Sequence, residues 1–287
     1  MYFLELLIVG LIDGSMYALM AVGLTMTYGL LRILHVAHAG VFVLGAYVGV
    51  MATNATGSFT IGLLLAMPIA GLLGMAIYRL VYHTMLGKSP IIALIASIGL
   101  FIFMEDGYRL VFGPYGETYT NLPLSTQFDF AGISLRAIQL AMFGVAILCI
   151  SGFGLLLGRT RLGVAWRATV SSPEMAASFG VDPMKVRYMN FLIGSALAGI
   201  AGAMVGVLNT LVEPTMGTVV SYKTLAILVL GGLGSVRGAF IASLGLGVIE
   251  AFGTVYIGHF LDRDAIAFLF LIVVLMLRPQ GLLGQRI

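Results

Sequence analysis

VRYMNFLIGSALAGIAGAMVGVLNTL (residues 186–211) decides the fold. It is longer than the roughly 20 apolar residues with which a helix crosses a bilayer. Gly194, Ala198, Gly202 and Gly206 recur at every fourth position, so they share one helical face. Small residues there let a second helix backbone come close, and that contact replaces the hydrophobic drive that lipid cannot supply. The face serves packing within the chain or, on a sharper reading, contact with a partner subunit.

Apolar runs of similar length extend outward in both directions, near residues 3–31, 40–54, 59–82, 90–112, 136–157 and 238–257, with shorter ones near 222–236 and 265–277. The expected fold is an all-α, polytopic transmembrane helix bundle with eight or nine crossings, some of them broken or re-entrant. Composition agrees. Hydrophobic residues make up 60% of the 287 residues and charged residues 9%, far below the roughly 25% of a soluble domain. The formal charge of +3 is not gathered into a stripe, which excludes nucleic acid as a partner. Cys149, the only cysteine, has no partner for an internal disulfide and is expected to be a buried free thiol. The opening MYFLELLIVG lacks a basic n-region, so Met1 is expected to begin the first span.

Basic residues orient the bundle. Arg159, Arg161, Arg167, Lys185 and Arg187 form the largest basic cluster and are placed in the cytoplasm. Threading from there puts Arg32, Arg79, Lys88, Arg237, Arg278 and Arg286 on the same side. Glu5, Glu117, Asp129, Glu213, Asp262 and Asp264, with Arg136, Lys223 and Arg263, fall opposite. Nine crossings then leave the N-terminus outside and the C-terminus inside. The chain reads as one transmembrane domain, 1–287, with a strand-like external loop over 113–135 and a cytoplasmic loop over 159–187.

Several motifs fail. Gly232-x-Gly234 followed by Gly238 lacks the spacing of a dinucleotide fingerprint, and Gly87-Lys88-Ser89 lacks the earlier glycine of a phosphate loop. This chain is therefore expected to bind no nucleotide or other cofactor. His35 and His38 are two potential ligands without a third, too few for a metal site; a helix-end pair facing partners or water is the expectation. No Ser, His and Asp grouping supports a hydrolase.

The cytoplasmic loop TRLGVAWRATVSSPEMAASFGVDPMKVR is informative. Ser172 can cap a helix, Pro173 fits its first position, Glu174 favours its positive end, and Gly180 suits a left-handed stop. Met175, Ala176, Ala177 and Phe179 give that two-turn helix an apolar face with no use in a solvated loop. They point to docking on a soluble partner, or to packing beneath the bundle. Within the spans, Asp13, one turn from Tyr17, and Glu250 are charges at membrane depth and so candidates for a transport path. Glu105 and Asp106 can each pair with Arg109. Gly231, Gly232 and Gly234 make a long regular helix unfavourable, and a broken backbone must be buried in protein or line water. His35, His38 and this break join the path candidates.

Glu174-x-Ala176-Ala177-x-x-Gly180 resembles the ATPase-contacting loop of bacterial ABC importer permeases, with one residue shifted from the usual E-A-A-x-x-x-G. Four stretches resemble the branched-chain amino acid permease family: GSMYALMAVGLTMTYGLLRILHVAHAGVFVLGAY (14–47), GVAWRATVSSPEMAASFGVD (163–182), LVLGGLGSVRGAF (228–240) and RPQGLLG (278–284). They follow the family's order. The compact length resembles the smaller of its two paralogous permeases. The resemblance implies a bacterial inner-membrane complex. A second permease subunit completes the path, two cytoplasmic ATPases use ATP and Mg, and an external binding protein delivers a branched-chain amino acid or similar small polar solute. Ser172 to Ala177, with Phe179 and Gly180, would couple to the ATPase. A self-sufficient ion-coupled transporter or channel using Asp13 or Glu250 is the alternative; a scaffold without transport leaves the docking helix and glycine break unexplained.

Overall fold

The computed structural model describes residues 2–130 and 133–283; Met1, Gly284 and Arg286, on which sequence expectations were placed, lie outside the described residues. Helix α1 (Tyr2–Leu31) is followed by α2 (His38–Thr56), α3 (Phe59–Leu80), a 3-10 turn (Tyr82–Met85) and α4 (Pro90–Phe112). Three short strands come next: β1 (Glu117–Thr118), β2 (Gln127–Phe130) and β3 (Ile133–Arg136). Helices α5 (Ala137–Arg159), α6 (Arg161–Ser171), α7 (Pro173–Ser178) and α8 (Pro183–Asn209) lead to β4 (Leu211–Val212), and α9 (Met216–Gly231), α10 (Val236–Tyr256) and α11 (Arg263–Leu277) complete the described chain.

Among the described residues, seven helices are long and apolar enough to cross a membrane, and α9 is a shorter apolar helix. At 1.5 Å per residue, α9 and α11 run for about 24 and 22 Å, short of the hydrocarbon thickness unless neighbours shield their ends. The sequence expectation set a span over 222–236; the observed helix is Met216–Gly231. The correction has a physical cause. Gly217, Thr218 and Ser221 depress the apolar signal at the true start, while the apolar but helix-breaking GGLG extends it past the true end.

Helix α8 forms the centre, packed on α2 and α3, while α1 packs mainly on α10. In α8, 78% of the apolar window is buried, against 17% in α5, so α5 has its other face free for lipid or a partner. The small-residue face is packed inside the chain: a Cβ at Gly202 would collide with the Phe42 carbonyl, and one at Gly194 would lie 3.1 Å from the Gly23 carbonyl oxygen. The α1–α10 contact uses the same device, with Gly10 against Val248 Cα and Gly14 against Leu244 Cα.

At one end of the bundle β1 pairs antiparallel with β4, Glu117 opposite Val212. The Asn54 side chain bonds Thr118 O at 2.9 Å and Thr120 N at 3.0 Å. These contacts gather the C-terminal ends of α2 and α8 with the loop after α4. The loop expected to be strand-like, 113–135, holds a β2–β3 hairpin. At the other end Trp166 lies against Gly29, and Gly281 against Gly232. Cys149 is half-buried, not buried as expected, because it stands on thinly packed α5.

Candidate functional site

The α6–α7 segment is a rigid bracket on the basic end. Thr160 Oγ1 caps α6 by accepting from Gly163 N at 3.3 Å, and Ser172 Oγ caps α7 by accepting from Met175 N at 3.3 Å. Helix α7 ends with Gly180 at φ +82°. Val181 N donates to Ala176 O at 3.0 Å and Gly180 N to Ala177 O at 2.9 Å, a closing pattern that needs the left-handed glycine. Asp182 Oδ1 then accepts from Met184 N and Lys185 N and starts α8.

On α7 the residues divide by face. Ala176 is buried, whereas Phe179 is 84% exposed and Met175 63%; Glu174 and Ala177 are also exposed. The expected apolar face is thus corrected by one residue: Ala176 turns inward and anchors the helix, because α7 bends back on α8 through its closing turn. The bracket is bolted to the bundle through residues that sequence reading left out. Trp166 Nε1 donates to Asn190 Oδ1 at 3.0 Å, and Asn190 Nδ2 to Thr27 Oγ1 at 3.2 Å. All three side chains are buried, so α6 is joined to α8 and α1 through a closed polar chain. The signal was the chain's single tryptophan, set in a polar loop. Beside it a cavity of about 610 Å³ lies between α5, α6 and α10, with Phe153, Trp166 and Phe240 in its wall and Arg167 and Arg237 at its edge.

The path candidates separate into three places. His35 and His38 stand where α1 and α2 are broken apart by the non-helical segment 32–37. Both are almost fully buried, which corrects the expectation of contact with water or partners. Segment 32–37 folds back into the bundle, bringing His38 level with Gly23. His35 Nδ1 lies 2.7 Å from Tyr82 Oη, Tyr82 donates to Ser97 Oγ at 2.7 Å, and Ala37 N donates to the same oxygen at 3.1 Å. This chain satisfies a broken backbone at depth. Gly231, Gly232 and Gly234 lie at the basic end, where Leu282 N and Leu283 N donate to Leu230 O and Gly231 O. The C-terminal segment therefore caps α9.

Asp13, Tyr17 and Glu250 do come together, with four partners from distant positions. Lys223 Nζ lies 2.9 Å from both Glu250 Oε1 and Asp264 Oδ1. Arg263 Nε bonds Glu250 Oε2 at 2.7 Å, and its Nη2 bonds Asp13 Oδ2 at 2.5 Å. Tyr17 donates to Glu250 Oε2 at 2.8 Å, and Tyr222 donates to Asp264. Glu250 is therefore paired across to α1, α9 and α11, and Lys223, expected at the surface, is buried. The reason is that α9 begins at Met216, placing Lys223 two turns inside. On α4, Arg109 pairs with both Glu105 (2.7 Å) and Asp106 (3.0 Å), as the spacing predicts, and Thr218 ties Glu105 to α9.

Residues 6–277 match a family profile described as the permease component of branched-chain amino acid transport systems. The chain is 32% identical to the high-affinity branched-chain amino acid transport system permease protein BraD of Pseudomonas aeruginosa, over 99% of this chain and 96% of that protein. It is 31% identical to LivH of Escherichia coli K12, with the same two coverages. LivM of that strain is 27% identical, over 93% of this chain and 67% of LivM. No solved structure matches.

Proposed function

The chain belongs to the permease family of branched-chain amino acid transport systems, and from that footing we propose that it is the membrane-spanning subunit of an ATP-driven importer that moves a branched-chain amino acid or similar small polar solute into the cytoplasm. It is a transport subunit, not an enzyme. The family also supplies the two-permease arrangement, since this chain is similar to both LivH and LivM. A second permease, two ATPases using ATP and Mg, and an external binding protein complete the assembly, in a bacterial inner membrane.

The observation that carries the reading is α7. It presents Phe179 and Met175 to solvent at the end of the bundle that holds Arg32, Arg79, Arg159, Arg161 and Arg237, the side that positive charge assigns to the cytoplasm. With α9 and α11 crossing beside the seven long helices, the chain makes nine crossings, its N-terminus outside and its C-terminus inside. ATPase closure pushes on α7, and the Trp166–Asn190–Thr27 chain passes the displacement to α8 and α1 without slack. Ser172, Pro173 and Gly180 hold the helix in shape; Glu174, Met175, Ala177 and Phe179 meet the partner. An ion-coupled carrier is disfavoured because Asp13 and Glu250 are already paired with Lys223 and Arg263.

Reconstitution tests the reading. Proteoliposomes holding this chain with its paralogue and ATPase, supplied with binding protein, are expected to take up labelled leucine only when ATP is enclosed with the ATPase. Uptake at the full rate by this chain alone contradicts it.

A further inference from the structure

Helices α5 and α10 both pack on α1, and the cavity beside Trp166 is a cleft of about 610 Å³ left between them. On α5 its lining runs from Gly158, at the basic end, back to Ile150, nine positions before the helix end at Arg159. That is about 13 Å at 1.5 Å per residue. The cleft therefore reaches from the basic end into the span. Gly154 and Gly158 share one face of α5 in its wall, and a Cβ at either would meet nothing within 4 Å. The glycines of α8 make way for a neighbouring backbone; these two make way for open space.

The lining divides by chemistry along its length. Toward the span stand Ile150, Phe153, Phe240 and Ile241; at the basic end stand Arg167 and Arg237. Both arginines are exposed, and neither forms an ion pair among the described residues. Arg167 Nη1 donates to Leu157 O, which holds that guanidinium beside the cleft. Helix α10 starts at Val236 in the same wall, so its positive end adds to the two cations. A long apolar cleft with unbalanced positive charge at one end matches a ligand with an apolar tail and an anionic head.

We propose that this cleft binds an anionic phospholipid. The phosphate lies between Arg167 and Arg237, and an acyl chain runs along Gly154 and Gly158 toward Ile150. Basic pockets between membrane helices hold anionic headgroups in this way. An acidic side chain of a soluble partner would meet the arginines but leave the apolar depth unfilled; an acyl chain fills it. The bound lipid packs on Trp166 and so braces α6, which ties α7 to the bundle. The site is independent of the solute carried.

Trp166 is the chain's single tryptophan, so its fluorescence reports on this cleft alone. The full-length chain in detergent is titrated with phosphatidylglycerol or phosphatidylcholine carrying the same brominated acyl chains, which quench tryptophan on contact. At about fivefold in affinity for each arginine, phosphatidylglycerol is expected to reach half-quenching at a concentration roughly 25-fold lower. Arg237→Gln should reduce that preference about fivefold. Gly154→Leu, which fills the cleft, should at least halve the quenching at saturation. Excess inorganic phosphate should relieve no more quenching than chloride of equal ionic strength. A preference below threefold in the parent overturns the proposal. So does a preference that Arg237→Gln leaves unchanged, quenching that Gly154→Leu leaves unchanged, or competition by inorganic phosphate, which would mark an anion site without a lipid. Loss of quenching on binding a tryptophan-free form of the paralogous permease would make the cleft a subunit seam, and that also overturns it. If Arg237→Gln does not fold, Gly154→Leu decides.

Discussion

Replacing Glu250 with alanine is expected to be the most destabilising single change in the chain. Its carboxylate is fully buried and holds Lys223 at one oxygen and Arg263 and Tyr17 at the other. Removing it leaves the buried Lys223 with only the partly exposed Asp264 as an ion-pair partner, and the half-exposed Arg263 with Asp13 alone. Breaking a buried pair in this way costs about 3–5 kcal/mol. The apparent melting temperature in detergent should fall by about 10 °C, read by size-exclusion after heating. Adding Lys223→Met to Glu250→Ala should recover part of the loss, because the two residues share one interaction. A single variant as stable as the parent, or a double variant showing simple additivity, contradicts the network. The effect is large because one carboxylate joins α10 to α1, α9 and α11 at once.

The second large effect lies at α7. Met175→Asp with Phe179→Asp removes two exposed apolar side chains without touching the caps at Ser172 and Gly180 or the buried Ala176. Each such side chain is worth about 1.5–3 kcal/mol when buried against a partner. Losing both should weaken ATPase binding about a hundredfold or more, and ATP-driven uptake should disappear while the purified chain keeps its melting temperature. Because Trp166, Asn190 and Thr27 stay in place, the lever remains intact and only its grip is lost. Retained uptake with normal assembly contradicts the docking role.

Most of the helices were legible in the sequence because membrane spans announce themselves through length and apolarity, and α7 was legible because Ser172, Pro173 and Gly180 mark its ends by local chemistry. The shift of α9 arose where local signals conflict: Gly217, Thr218 and Ser221 interrupt the apolar run inside the true helix, while the glycines after Leu230 prolong it beyond the helix end. The charge cluster was legible only in part. Asp13, Tyr17 and Glu250 stood out as charges and a phenol at depth, yet Asp13 and Arg263 are separated by 250 positions, and only the packing of α1 on α10 and α10 on α11 brings them together. His35 and His38 were noticed for their spacing, but their burial follows from the way 32–37 re-enters the bundle, a turn that no short motif encodes. Trp166 was passed over because its meaning depends on Asn190, 24 positions away.

The sidedness of α7 tests the central claim most directly. Phe179→Cys in a Cys149→Ser background, labelled in intact cells and in inside-out vesicles with a reagent that does not cross membranes, is expected to react only in the vesicles and to be shielded there by bound ATPase. Reaction in intact cells from the outer surface would contradict the account.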